Sequence, residues 1–222
     1  VNPILVPTHN GLELIKKAVH SFNLQDIPTE VHVIDNASTD GTWDWVSENV
    51  LEATQYFENV GVSLAWNNGL TYLFRKFDHV LVCNADVELP PNFYSTLLSF
   101  EQEFVSGVSV DKVSLNPPYE INKFPDFSAF LVRKSCWLSI GPFDSSMKMY
   151  ASDCDWGVRA HRIGIQLHGS NMPFYHERSS TLRLAPPEER AMIERQANMD
   201  RQVFRWKYGC IPGEPEYDKL FE

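Results

Sequence analysis

A few side chains in this sequence have the types and settings that chemistry asks for. Asp86 closes Asn84-Ala85-Asp86 directly after the apolar run Val80-Leu81-Val82-Cys83, and a carboxylate there is a hard oxygen ligand for a divalent cation. Asp153 lies in the acidic cluster Tyr150-Ala151-Ser152-Asp153-Cys154-Asp155-Trp156, which opens a helix-like stretch stopped by Gly164. A helix dipole keeps such an acid ionised and able to accept a proton, as a general base must, although plain capping explains an acid there as well. His176 stands in the polar island Phe174-Tyr175-His176-Glu177-Arg178-Ser179-Ser180; a lone histidine is more often structural than a ligand, so its type alone assigns no role.

The elements that must hold these groups follow from periodicity. Ile4-Leu5-Val6 reads as a buried strand ending in Pro7-Thr8-His9-Asn10-Gly11, and Leu14, Ile15, Ala18, Val19 and Phe22 form one apolar stripe of a helix. Val31 to Ile34 repeats the strand, Asp35-Asn36-Ala37-Ser38-Thr39-Asp40-Gly41 the turn, and Thr42 to Val50 the helix. The spacing then predicts a strand at Phe57 to Val60, a helix over Leu64 to Phe77 and a strand at Val80 to Cys83. Such alternation implies a mostly parallel sheet covered on both faces, with right-handed crossovers. Past Pro90-Pro91 the pattern turns mixed: a helix over Asn92 to Phe104, apolar runs near Val105 to Leu115, a strand at Ala129 to Val132, and a charged helix over Pro186 to Tyr208. In open parallel sheets ligands bind at the carboxyl ends of the strands. Thr8, His9 and Asn10, then Asp35, Asn36, Ser38 and Asp40, then Asn84 and Asp86 are thereby gathered from distant parts of the chain. For Ser38, Thr39 and Asp40 local turn bonding is the simpler account.

Composition narrows the class. The chain has 222 residues, 43% of them hydrophobic and 13% aromatic, which suits one folded domain and excludes general disorder. A net charge of -10 argues against nucleic acid as partner. No apolar run approaches the roughly 20 residues of a membrane-spanning helix. Cys83, Cys136, Cys154 and Cys210 form no Cys-x-x-Cys pair, so a reducing cytosolic setting is expected, for the chain itself or for a longer polypeptide containing it. No Gly-x-Gly-x-x-Gly follows the first strand and no Gly-Lys-Ser/Thr closes a phosphate loop. A nucleotide bound here would need its phosphates neutralised by a carboxylate-held cation, and Asp86 offers the oxygen.

Taken in order, these pieces resemble the inverting glycosyltransferases of family 2, with their GT-A nucleotide-sugar fold. The resemblance rests on Pro7-Thr8-His9-Asn10, Asp35 to Thr42, Asn59-Val60-Gly61 with Asn67-Asn68-Gly69, Asn84 to Leu89, Gly141-Pro142-Phe143-Asp144, Ser152 to Trp156 with Arg159 and Gly164, and His176 with Ser179 or Ser180. Asn198, Phe204, Lys207, Tyr208 and Gly209 are further similar to the C-terminal helix of its rhamnosyltransferase-like and galactofuranosyltransferase-like branch. The resemblance implies one α/β domain over 1–222: a Rossmann-like, mostly parallel sheet in a nucleotide-sugar half (1–90), a mixed acceptor half (91–185), and a C-terminal helix and tail (186–222).

It implies a site as well. Pro7, Thr8, Asn10, Asp35, Asn59, Asn67, Asn84, Ala85 and Asp86 would bind the nucleotide sugar, Asp86 and His176 would ligate Mn or Mg, and Asp153 would be the base. Asp155, Trp156, Arg178 and Arg183 would lie toward the diphosphate or the acceptor. The implied reaction moves a sugar, with inversion, from a nucleoside diphosphate of UDP or dTDP type to a hydroxyl of a glycan or glycoconjugate. Asn84 replaces the first acid of the Asp-x-Asp motif, as in many relatives, Ser152 replaces the Glu of the Glu-Asp pair, and Trp66 stands where many carry arginine; Asn84 and Ser152 leave a catalytically silent nucleotide-sugar or glycan-binding module as the alternative.

Overall fold

The structure, a computed structural model, describes residues 1–111, 124–177, 182–183 and 185–222. Its first half alternates as the sequence predicts: β1 (Asn2–Thr8), α1 (Leu12–Asn23), β2 (Thr29–Asp35), α2 (Thr42–Asn49), β3 (Glu52–Gln55), α3 (Val62–Leu73) and β4 (His79–Cys83). There follow β5 (Val87–Glu88), α4 (Phe93–Leu98), β6 (Phe104–Val110), β7 (Ala129–Arg133), α5 (Lys134–Ile140), α6 (Ser152–Arg162), β8 (His168–His176), α7 (Pro187–Tyr208) and α8 (Pro215–Asp218). Among the described residues these strands form one sheet in the order β3-β2-β1-β4-β7-β6-β8-β5. β3, β2, β1 and β4 are parallel neighbours, whereas β7 is antiparallel to both β4 and β6, and β8 is parallel to β6.

Alternation along the central strands divides the core into two layers. Ile4, Val6, Leu81, Cys83 and Leu131 point to the side of α1 and α4, where Ile15, Phe22, Phe93 and Leu97 are buried. Leu5, Val80, Val82, Phe130 and Val132 point to the side of α3, α5 and α6, meeting Leu70, Cys136 and Trp156. Here α3 presses directly on β1, for a Cβ at Gly69 would stand 2.4 Å from Leu5 Cδ1. Only glycine allows that approach.

Two expectations are corrected. The third strand is Glu52–Gln55 rather than Phe57 to Val60. As an edge strand pairing with β2 alone it buries little, so polar residues suffice, and the apolar Phe57 is fully exposed in the bend beyond. The helix expected over Asn92 to Phe104 stops at Leu98, and Phe104 begins β6. Every residue of β6 is buried, so it carries no alternation, and its apolar run reads as a continuation of the helix stripe.

The C-terminal helix is anchored by carboxylates. Asp200 of α7 is fully buried and accepts backbone N–H bonds from Lys148 (3.1 Å), Met149 (2.9 Å) and Tyr150 (2.9 Å), with a fourth from Gln196 Nε2 at 2.7 Å. In return, the equally buried Asp155 of α6 accepts from Tyr208 Oη at 2.7 Å and Arg159 Nε at 2.8 Å, and pairs with Lys207. Asp200→Ala leaves three partly buried backbone N–H groups without their acceptor and should cost about 2 kcal/mol of stability. Urea denaturation measures this, and a loss below about 1 kcal/mol would show that water replaces the carboxylate.

Candidate active site

At the carboxyl edge of the parallel strands the loops enclose a cavity of about 1060 Å³. β1 and β2 pair residue for residue to their last members, Thr8 and Asp35, so the loops that follow start side by side. Asn10, at φ 56°, turns back to stitch them: its backbone N–H donates to Ser38 Oγ (2.7 Å) and its Oδ1 accepts from the Thr39 N–H (2.9 Å). Asp40 accepts from the N–H groups of Gly11 (2.6 Å), Leu12 (3.1 Å) and Thr42 (3.0 Å), serving the starts of both α1 and α2. Burial opposes its charge, but these hydrogen bonds prevail and hold its carboxyl below the usual range.

Pro7, Thr8, Asn10, Asn59, Asn84, Ala85, Asp86, Asp153 and His176 all line the cavity. Asp35 does not. It is fully buried, accepts from the Ser38 N–H and Gln55 Nε2 at 3.1 Å each, and takes a further bond from the Ser38 hydroxyl. Its carboxylate builds the loop rather than facing the cavity. Asn67 is similarly spent, since its amide exchanges two 2.8 Å bonds with the backbone of Phe143. Asp155 is directed to α7, and Trp156 lies in the aromatic core, 5.3 Å from Phe143 and donating to the Gly141 carbonyl at 2.8 Å. Neither reaches the cavity wall. Arg183 pairs with Glu177 on the outside, and Arg178 lies outside the described residues.

The far wall is made by β4, the segment before β7, and α6. Because β7 runs antiparallel to β4, with Cys83 opposite Ala129, the chain entering β7 reaches the edge that parallel strands reach only on leaving. Asp126, Phe127 and Ser128 thereby line the cavity, and the Asn84 N–H donates to the Ser128 carbonyl at 2.8 Å. Asp86 and His176 meet across it, Oδ1 to Nε2 at 3.2 Å, both largely buried. The carboxylate oxygen suits Mn or Mg, and the imidazole nitrogen beside it favours the transition metal Mn over Mg. Among the described residues no third His, Cys, Asp or Glu joins them.

The start of α6 is held by a crossing of loops. Gly61, at φ 86°, passes so near the Lys148 carbonyl that a Cβ would stand 2.5 Å from it, and the Ser63 hydroxyl lies 2.5 Å from the Met147 carbonyl and 2.8 Å from Ser152 Oγ. Ala151, at φ 64°, then turns the chain into α6 and presents Asp153 to the cavity. Desolvation raises the Asp153 carboxyl above the ordinary range; the Cys154 N–H, 2.8 Å from Oδ1, opposes the shift, and Asp126 adds to it. That is the direction that makes a carboxylate a better base.

Sequence reasoning missed Asp126 and Glu189. Asp126 falls in the loop before a strand, where ligand groups are not sought, and its only signal was the acid in Pro125-Asp126-Phe127. Glu189 looks like a dipole-favoured acid in a first helical turn, yet it lines the cavity near His9 and Asn10.

The profile described as "Glycosyl transferase family 2" matches residues 4–144. No curated protein matches the chain by sequence. Among solved structures, TarS of S. aureus superposes with TM-score 0.65 at 17% identity over 99% of this chain and 47% of TarS, so the chain spans about half the length of that protein. A TarS 1-349 structure in complex with UDP gives 0.65 at 16% identity, covering 100% of this chain and 70% of that one. The mannosyltransferase PcManGT from Pyrobaculum calidifontis, in complex with GDP-Man and Mn2+, gives 0.62 at 18% over 98% and 73%.

Because the folded state holds the Asp153 proton more tightly than the unfolded chain does, stability falls as pH rises from the ordinary carboxylate range through the raised value. Asp153→Asn removes that slope. Melting curves should show the variant gaining on the wild type as pH rises above the ordinary carboxylate range; a difference that ignores pH would show a carboxyl in ordinary solvent.

Proposed function

The chain belongs to glycosyl transferase family 2 and has the GT-A fold, and from that premise we propose that it transfers a sugar from a nucleoside diphosphate to a hydroxyl of a glycan or glycoconjugate, by metal-assisted single displacement with inversion. The reading is carried by one arrangement: the Asp86–His176 pair and the raised carboxyl of Asp153 face the same cavity. Thr8, Asn10, Asn59, Asn84 and Ala85 form the donor wall, with Asp35 shaping the loop behind it. Asp86 and His176 would hold the cation, which when bound would neutralise charge on the departing diphosphate.

Asp153 accepts the proton of the attacking hydroxyl. Its raised affinity for that proton comes from desolvation at the start of α6. Within the family we place the chain in the rhamnosyltransferase-like and galactofuranosyltransferase-like branch, with UDP or dTDP donors. This placement is supported by the end of α7, where Phe204 is buried and Lys207 and Tyr208 engage Asp155. Its four cysteines are all free, which fits action in a reducing cytoplasm.

Asp153→Asn should lower kcat by roughly 10² to 10⁴ while leaving donor affinity within about threefold. Asp86→Ala should abolish the Mn-dependent part of donor binding. Calorimetry with UDP, dTDP and GDP sugars, and NMR of the product's anomeric configuration, check both; equal loss of transfer and donor binding in Asp153→Asn would move that residue to the donor site. A donor bound tightly but transferred to no acceptor would favour the binding-module alternative.

A further inference from the structure

At the end of the cavity where β1 and β2 finish, the acids that the strand pattern brings there are already engaged. Asp35 is turned onto Ser38 and Gln55, and Asp40 onto Gly11, Leu12 and Thr42. Glu13 lines the rim but is 75% exposed and pairs with Lys16 at 2.7 Å. The remaining carboxylate comes from the other end of the sequence. Glu189, in the first turn of α7, lies with Oε1 3.1 Å from His9 Nε2 and 3.5 Å from Asn10 Nδ2, while its Oε2 has no partner among the described residues. The opposite nitrogen of the His9 ring is 2.6 Å from the Asn36 carbonyl, so the ring is wedged between the loop after β2 and α7 and fixes where the carboxylate stands.

In the same cavity wall, Thr8 Oγ1 and Asn36 Oδ1 are buried without a hydrogen-bond partner among the described residues. This end therefore holds polar groups that the fold leaves unspent: a carboxylate oxygen and an amide oxygen, which accept, and a hydroxyl, which accepts or donates. The matching ligand group is one that donates from neighbouring positions. A pyrimidine base offers one ring N–H between two carbonyls, whereas a ribose offers two adjacent hydroxyls. A carboxylate accepting from a ribose hydroxyl is a charge-assisted bond of the stronger kind.

We propose that Glu189 reads the ribose of the donor, accepting from its 2′-hydroxyl, and so selects ribonucleotide over 2′-deoxyribonucleotide donors. The inference rests on the nucleotide-sugar reading of this cavity, and it decides between the two donor types left open there, in favour of UDP over dTDP. It also makes α7 part of the binding site, as the element that presents the discriminating group.

Calorimetric titration of UDP and 2′-deoxy-UDP, in Mn, against wild type, Glu189→Gln and Glu189→Ala tests it. The wild type should bind UDP on the order of 10-fold more tightly than 2′-deoxy-UDP. In Glu189→Ala that ratio should fall to about 1 through loss of UDP affinity alone; Glu189→Gln, which keeps an acceptor oxygen without the charge, should lie between and serves in its place if the alanine variant melts early. Equal affinities in the wild type, a ratio that persists in Glu189→Ala, or equal weakening of both nucleotides would each overturn the assignment while leaving the transferase reading intact. Failure of the wild type to bind either nucleotide would overturn both.

Discussion

Two buried carboxylates, offered in opposite directions between α6 and α7, hold the molecule in a shape that has a cavity at all. Asp155 reaches from α6 to Lys207 and Tyr208, and Asp200 reaches from α7 to the backbone of residues 148–150. Each charge would be costly alone in a desolvated interior, and each is tolerable only because several donors converge on it. The packing therefore admits one register of α7 against α6. Slippage by a turn would strand both charges at once. That single register places Asp153 at one wall of the cavity and Glu189 at another.

The polar groups around the cavity divide into those the chain consumes and those it leaves over. Asp35, Asp40, Asn67 and Asp155 are saturated by internal bonds and act as scaffolding. The Thr8 hydroxyl, Asn36 Oδ1 and the indole N–H of Trp66 are buried without partners among the described residues, and all three residues line the cavity. Backbone strain gathers in the same region. Asn10, Ala37 and Ala151, the non-glycine residues with positive φ among the described residues, lie in the loops after β1 and β2 and at the start of α6. Each costs on the order of 1 kcal/mol, as does an unmade buried hydrogen bond. The edge of the sheet that borders the cavity thus gathers strained backbone and unpaired polar groups together.

Much of this was legible because it depends on local pattern. The runs around β1, β2 and β4, the stripe of α1 and the polar ends of the strands predicted the parallel half and where its loops converge. β3 escaped because an edge strand needs no apolar alternation, and β6 because total burial erases it. Asp35 and Asn67 show a different limit. Residue type and position brought both to the site, but only coordinates reveal that their hydrogen-bonding capacity is already used. Glu189 and Asp126 were hidden for the converse reason: reversal of β7 and the return of α7 bring them in from places that no strand-end rule points to.

The contact between His9 and Glu189 spans 180 positions of the sequence. During synthesis the ribosome releases β1 and its loop long before α7 exists, so the first wall of the cavity waits for its last. Closing so long a loop is slow relative to forming local helices and neighbouring strand pairs. The sheet can therefore assemble while the pocket is still an open shelf, and the site matures only when the final helix docks. In a nascent chain of this kind the strands can pair before the cavity has its last wall.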